Sequence, residues 1–387
     1  MKLSKDLILI YGPPWNQPAR LSKHHFSKEW SNKSKVLYVE APINFSSFIT
    51  RREEAIELFK RFLSGPEKIK QNLWISSFFY IFPFRGSKYL FGSKIINMIN
   101  QYFVKNKLIR QIKKLGIKNP IVIISNANIL PIIDSIQSSK IIYHCSDDYT
   151  IISSFPESFL EIEEKLIKKC DLIVTTADEL MNAKKHLNKN IVSIPNGANI
   201  EHFFKTQDQN LKIPQDISKY DNPIIGYVGS VFEWLDIDWI RYAAEKCPDF
   251  DFVFIGPISI DISELKKYSN VHFLGPRSYE DLPKYMKAFK VAVIPFVIDG
   301  VTLKASPIKF YEYLASGLPI VSTELPDLMK FADVSHLAKG KEEYVNFIKL
   351  ALENENEKSM KNRMELSKNY SWKSRFKTLI KEINKIS

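Results

Sequence analysis

The chain has 387 residues, 45% of them apolar, enough for two substantial cores and too many for one compact α/β sheet. Its three cysteines, Cys145, Cys170 and Cys247, lie far apart, which excludes a disulfide framework or a paired zinc or redox site and suits a reducing cytoplasm. The net charge of +12 is carried by residues 1–205, where about 30 Lys and Arg face about 18 Asp and Glu; the remainder is balanced.

Taken in chain order, the apolar part of Met1 to Ile10 is too short for a signal peptide, and the run near Asn72 to Phe84 is broken by serines and a proline, so no spanning segment is expected. Short β-rich runs at Leu7–Tyr11, Val36–Val39, Ile121–Ile124, Ile141–Tyr143, Leu172–Val174 and Ile191–Ile194 alternate with longer segments of helical period. This pattern predicts a parallel sheet with helices on its faces. Gly12 follows the first run in Tyr11-Gly12-Pro13-Pro14-Trp15, where a missing side chain permits a close backbone approach, although the segment is not G-x-G-x-x-G. His24 and His25 read as surface or satisfied core histidines.

Lys68 to Ile133 contains no acidic residue and interleaves lysines and arginines with aromatics, a composition that suits an anionic membrane surface over residues 68–118. Further on, His144, Asp147 and Asp148 follow a strand end, where they are candidates for proton transfer or hydroxyl binding, or else to cap a helix and pack. A polar stretch, Asn199 to Asn222, reads as a linker, with the domain boundary near residue 205. A second strand series follows at Ile224–Val228, Phe252–Ile255, Val271–Leu274, Val291–Ile294 and Ile320–Ser322. Glycine turns close the first three of these, at Gly229-Ser230, Gly256-Pro257 and Gly275-Pro276, and Arg277 follows the third. The chain should end in an amphipathic helix over Ser371–Ile386.

The most punctuated segment is 306–322. Ser306 is placed to cap a helix, Pro307 fits its first position, Gly317 supplies a left-handed stop, and Ile320-Val321-Ser322 starts a strand. Lys309 near the helix start is a candidate anion ligand, and Glu312 a turn later has acceptors for two hydroxyls. Lys304 and Arg277 are further candidates to neutralise a diphosphate. No D-x-D follows a strand, and no His or Cys cluster has metal-ligand spacing, so no metal or other cofactor is expected.

Pro307, Lys309, Glu312, Ala315, Gly317 and Pro319, together with Gly229-Ser230, Gly256-Pro257, Gly275-Pro276 and Ile194-Pro195-Asn196-Gly197, resemble the donor-binding signature of retaining family-4 glycosyltransferases, and among them bacterial surface-polysaccharide enzymes of the teichuronic-acid type. The resemblance implies the glycosyltransferase B fold, with two doubly wound Rossmann-like domains facing a cleft. It implies an acceptor domain at 1–205, a donor domain at 206–370 and a crossover helix at 371–387 that returns to the first domain. It assigns Gly12, Gly229, Ser230, Lys309 and Glu312 to the donor, with Glu312 on the ribose, and a histidine or acidic residue, His144, Asp147 or Asp148, to the transferred sugar; Arg277 and Lys304 join the donor candidates by charge. One position departs from the pattern: the family's second glutamate, eight positions before Glu312, is Lys304 here. The function implied is hexose transfer from a nucleotide-diphosphate sugar to a lipid-linked or growing polysaccharide, with retention, at the cytoplasmic face of the membrane and without nucleic acid. A nucleotide-sugar 2-epimerase and a non-catalytic nucleotide-sugar-binding subunit are the alternatives.

Overall fold

The structure is a computed structural model that describes residues 5–17, 20–82, 94–151 and 157–386. The chain divides into two compact units, residues 1–195 with 376–387 and residues 196–375. The division falls some ten residues earlier than the polarity of Asn199 to Asn222 suggests. That stretch is not a bare linker: Asn199 accepts from the His202 amide to cap the helix Ile200–Phe204, and Phe203 and Ile217 are buried in the second core.

Among the described residues the first unit is built on an eight-stranded sheet: β1 (Leu7–Gly12), β2 (Val36–Glu40), β3 (Glu67–Lys70), β4 (Leu73–Ser76), β5 (Ile121–Ile124), β6 (Lys140–Cys145), β7 (Leu172–Thr175) and β8 (Ile191–Ser193). Its order is β3-β4-β2-β1-β5-β6-β7-β8, parallel except for the β3–β4 pair. Strands β1, β2 and β5 are buried along their whole length, which explains why their sequences are continuous apolar runs rather than alternating ones. Leu7 pairs with Val36 on one side and Ile121 on the other, so the strand order reverses at β1. Strand β3 is fully exposed, and its two lysines blunt the sheet edge.

The second unit holds six parallel strands: β9 (Ile224–Val228), β10 (Asp251–Ile255), β11 (Val271–Gly275), β12 (Phe289–Ile294), β13 (Ile320–Thr323) and β14 (His336–Ala338), in the order β11-β10-β9-β12-β13-β14. Here the order reverses at β9, which pairs with β10 and β12. In doubly wound sheets ligands bind outside the carboxyl ends of strands at such reversals, which directs attention to Gly12 at the end of β1 and Gly229 after β9.

The last helix, Trp372–Lys385, begins with the second unit and ends on the first. Phe376, Leu379, Ile380 and Ile383 form its buried stripe, with Phe376 6.0 Å from Trp30 and 6.4 Å from Phe26. Among the described residues no helix is long and apolar enough to cross a membrane.

Candidate functional site

In the second unit the helix Ile308–Ser316 buries Phe310, Tyr311, Tyr313, Leu314 and Ala315 in the core and leaves Lys309 and Glu312, one turn apart, on its half-buried face. Gly317 ends it in the left-handed region at φ 74°, as a C-terminal glycine does. The start differs from the sequence expectation. Pro307, not Ser306, is the cap residue and offers no side-chain bond, because the Ser306 hydroxyl is committed to Tyr311 Oη at 3.1 Å and the Asn196 amide at 3.4 Å.

Two hydrogen bonds fix the end of β9 beneath this helix. The Val228 amide donates to Tyr313 Oη at 2.8 Å, and Tyr227 Oη donates to the Ser230 carbonyl at 2.9 Å. Between them Gly229 has φ 145°, a conformation that side chains rarely adopt, and a Cβ there would lie 2.8 Å from Lys309 Cε and 3.2 Å from Lys309 Nζ. The Lys309 ammonium therefore rests over the Gly229 backbone, with the Phe296 ring 4.7 Å and the Tyr227 ring 5.1 Å away. The Gly229 amide donates to the Ile255 carbonyl and the Gly256 amide to the Gly275 carbonyl, so the three glycine turns form one connected ledge.

Burial pushes the Lys309 ammonium down to about 8 and the Glu312 carboxyl up to about 7, each partly opposed by the other's charge. An acid and a base displaced toward each other are a mark of functional sites. The arrangement offers a cation, a carboxylate and a side-chain-free backbone within one turn of helix. Among the described residues no group of three or more His, Cys, Asp or Glu is gathered as metal ligands.

The other sequence candidates of this unit are placed differently. Arg277 is engaged, with Nη2 2.6 Å from Asp216 and Nε 2.7 Å from Tyr285 Oη. Lys304 ends the short turn Thr302–Lys304 and is half-buried.

In the first unit the loop after β1 is held by buried side chains. A Cβ on Gly12 would collide with Tyr38, whose Oη donates to the Pro13 carbonyl at 2.6 Å. His24 Nδ1 accepts from the Leu21 amide at 3.0 Å, so Nε2 carries the proton and donates to the Pro14 carbonyl at 3.1 Å. Burial lowers His24 to about 4, keeping it neutral in this role. The Glu40 carboxylate accepts from the Trp15 amide at 2.8 Å and is itself held by Arg61 through two bonds of 2.8 Å.

His144 does not follow the strand end as the sequence suggested: it is the penultimate residue of β6, paired with Val174 and buried, whereas Asp147 lies beyond the strand and is exposed. Asp148 is buried and accepts from the Thr150 amide and hydroxyl at 3.1 and 2.7 Å, which is a turn-forming role. Burial and the neighbouring Lys23 hold His144 well below its ordinary value, so it is neutral. Ser146 Oγ lies 3.4 Å from His144 Nδ1 and receives the Lys23 ammonium. Lys23 was not legible as a site residue. Its only sequence signal is adjacency to His24 and His25, and the helix Ser22–Ser31 uses Lys23 on the β6 loop and His24 on the β1 loop.

Residues 222–350 match the family described as glycosyl transferases group 1. The chain is 27% identical over 220 residues to TuaH of Bacillus subtilis (strain 168), provisionally named as a teichuronic acid biosynthesis glycosyltransferase; the match covers 52% of this chain and 54% of that protein. The chain thus spans about half the length of this relative. Among solved structures it resembles sucrose-phosphate synthase from Thermosynechococcus elongatus (TM-score 0.70, 13% identity, 98% of each chain). It also resembles the E. coli trehalose-6-phosphate protein bound with UDP-2-fluoro glucose (0.70, 12%, 99% and 100%) and Anabaena HepE in complex with UDP and glucose (0.66, 15%, 98% and 99%). The shared architecture is the glycosyltransferase B fold.

Proposed function

We propose that this chain is a glycosyltransferase that moves a hexose from a nucleoside-diphosphate sugar to a lipid-linked or growing cell-surface polysaccharide, with retention and without a metal, at the cytoplasmic face of the membrane. The observation that carries the reading is the Lys309 ammonium resting over Gly229, one turn from Glu312, at the carboxyl end of the strand where the sheet order reverses. Similarity to TuaH over about half of each chain supports the polysaccharide acceptor, and the UDP and UDP-sugar complexes of the fold relatives support the donor.

In this reading the bond between the sugar's anomeric carbon and the diphosphate oxygen breaks, and its electron pair leaves with the diphosphate. Lys309 offsets that charge, and the side-chain-free backbone at Gly229 and the start of the Ile308–Ser316 helix leave room for the phosphates beside it. Glu312 accepts the ribose hydroxyls. The acceptor hydroxyl forms the new glycosidic bond, and its proton passes to the departing phosphate oxygen. Gly12, in its clamped loop, is assigned to donor phosphate. His144, neutral, and Asp147 are assigned to sugar hydroxyls, and Asp148 to holding their loop. Lys304, standing where relatives of the family-4 type carry glutamate, adds a second cation near the donor. Arg277, already paired, contributes to the shape of its loop.

The test is nucleotide binding by thermal shift and calorimetry with UDP, GDP, ADP and CMP. One diphosphate should stabilise the fold, and both Lys309→Ala and Glu312→Ala should weaken its binding. Unaltered affinity in both variants would overturn the site. Turnover of the matching nucleotide-sugar to an isomer without acceptor would identify an epimerase instead, and binding without any turnover a non-catalytic subunit.

A further inference from the structure

The helix Lys94–Lys114 is inside out over its first half. Asn97, Asn100 and Gln101 point inward and are at most 1% exposed, whereas Ile95 is 70% exposed and Met98 and Tyr102 are each 62% exposed. Apolar groups outside and amides inside reverse the usual preference, and the inward amides are satisfied. Asn100 bonds the Phe82 amide and carbonyl at 3.1 and 2.8 Å, and Gln101 bonds Tyr80 Oη at 2.6 Å and accepts from Tyr11 Oη at 2.9 Å. The outward stripe therefore has a structural cost with no return inside the unit.

The same stripe changes character along the helix. Its second half presents Arg110, Lys113 and Lys114, all exposed, and no acidic residue occurs from Lys68 to Ile133. The apolar half has neighbours of its own kind. Phe82, 41% exposed, is tied to the helix through Asn100, and Lys107 donates to the Phe62 carbonyl of the adjoining helix Arg52–Ser64. Residues 83–93 of the basic aromatic stretch lie outside the described residues.

We infer that the outer face of the Lys94–Lys114 helix docks on an anionic bilayer, with Ile95, Met98 and Tyr102 entering the headgroup and acyl boundary and Arg110, Lys113 and Lys114 on lipid phosphates. Charge selects this occupant. A second copy of the chain would bring the same cations together, and a nucleic acid would leave the apolar half without a partner. The inference is independent of which reaction the chain performs, since it uses no residue of the Lys309 and Glu312 site.

The experiment is flotation of the full chain with vesicles of phosphatidylglycerol and phosphatidylcholine and, separately, phosphatidylcholine alone. Wild type should float with the anionic vesicles and release as salt rises. The exposed triple variant Ile95→Ser, Met98→Ser, Tyr102→Ser should lose about tenfold or more in partitioning, a step that one well-buried apolar side chain can supply. Lys113→Glu with Lys114→Glu should lose binding to anionic vesicles while retaining nucleotide binding and thermal stability. Triple-variant binding equal to wild type, or equal wild-type binding to neutral vesicles, would overturn the inference. So would a concentration-dependent dimer that the triple variant abolishes, in the absence of vesicle binding.

Discussion

Replacing Lys309 with methionine should raise the stability of the second unit while removing much of its nucleotide affinity. The Lys309 ammonium is half-buried against Tyr227 and Phe296, and its value falls from 10.5 to about 8. A folded-state value below the unfolded one penalises folding while the group is charged, so the penalty is fully present below pH 8 and disappears as pH rises toward 10.5. At full burial it would be about 3 kcal/mol; with the amine half open to solvent, about 1–2 kcal/mol is expected. Lys309→Met should therefore melt a few degrees higher than wild type at pH 7, and the difference should close above pH ~10. Against a diphosphate, one ammonium at hydrogen-bond distance contributes about 2–4 kcal/mol, so affinity should fall roughly thirtyfold to several-hundredfold. Calorimetry in two buffers of different ionisation heat supplies a second readout. Near pH 8 wild type should take up about half a proton on binding the nucleotide, and Lys309→Met none. A variant that binds within about threefold of wild type, or that retains the proton uptake, would refute the assignment of Lys309 to the phosphate.

The remaining expectations follow from the same geometry. Glu312→Gln should weaken a nucleoside diphosphate about tenfold and inorganic diphosphate little, and should abolish the loss of wild-type affinity as pH falls through about 7, measured by calorimetry from acid to neutral pH. Gly229→Ala, at φ 145° and with its Cβ 2.8 Å from Lys309 Cε, should destabilise by about 1–3 kcal/mol in urea unfolding and weaken nucleotide binding as well. Arg277→Ala should leave nucleotide affinity within about threefold, because the guanidinium is already held by Asp216 and Tyr285. Glu40→Ala should cost about 3–5 kcal/mol in urea unfolding, because it strands the buried Arg61 and frees the Trp15 amide.

Punctuation made the second unit legible. Gly317, Pro319 and the glycine turns after β9, β10 and β11 each have a local steric reason that a sequence displays, and Lys309 and Glu312 occupy one helix face by spacing alone. The cap failed as an expectation because Ser306 is drawn into a distant bond with Asn196, which no local rule reveals. Strand β3 escaped notice because it is an exposed, lysine-bearing edge, and β4 because its apolar residues belong to the longer run Asn72 to Phe84, weighed only as a spanning segment. Lys23 was invisible because its partner Ser146 is 123 positions away. The inverted helix was visible as composition, basic and aromatic, but not as orientation, since its apolar positions would serve equally well facing inward.

That inversion has a mechanical consequence. Oily contacts are tolerant of small rotations, whereas the amides of Asn100 and Gln101 reach their partners only at one angular setting. The helix is keyed like a shaft in a slot, and the key engages Tyr11, a non-glycine residue held at φ 61° immediately before Gly12. A torque on the outer face would thus be passed to the backbone at the end of β1 through Gln101 and Tyr11 instead of dissipating in side-chain repacking. Tyr11→Phe removes that coupling while preserving the ring.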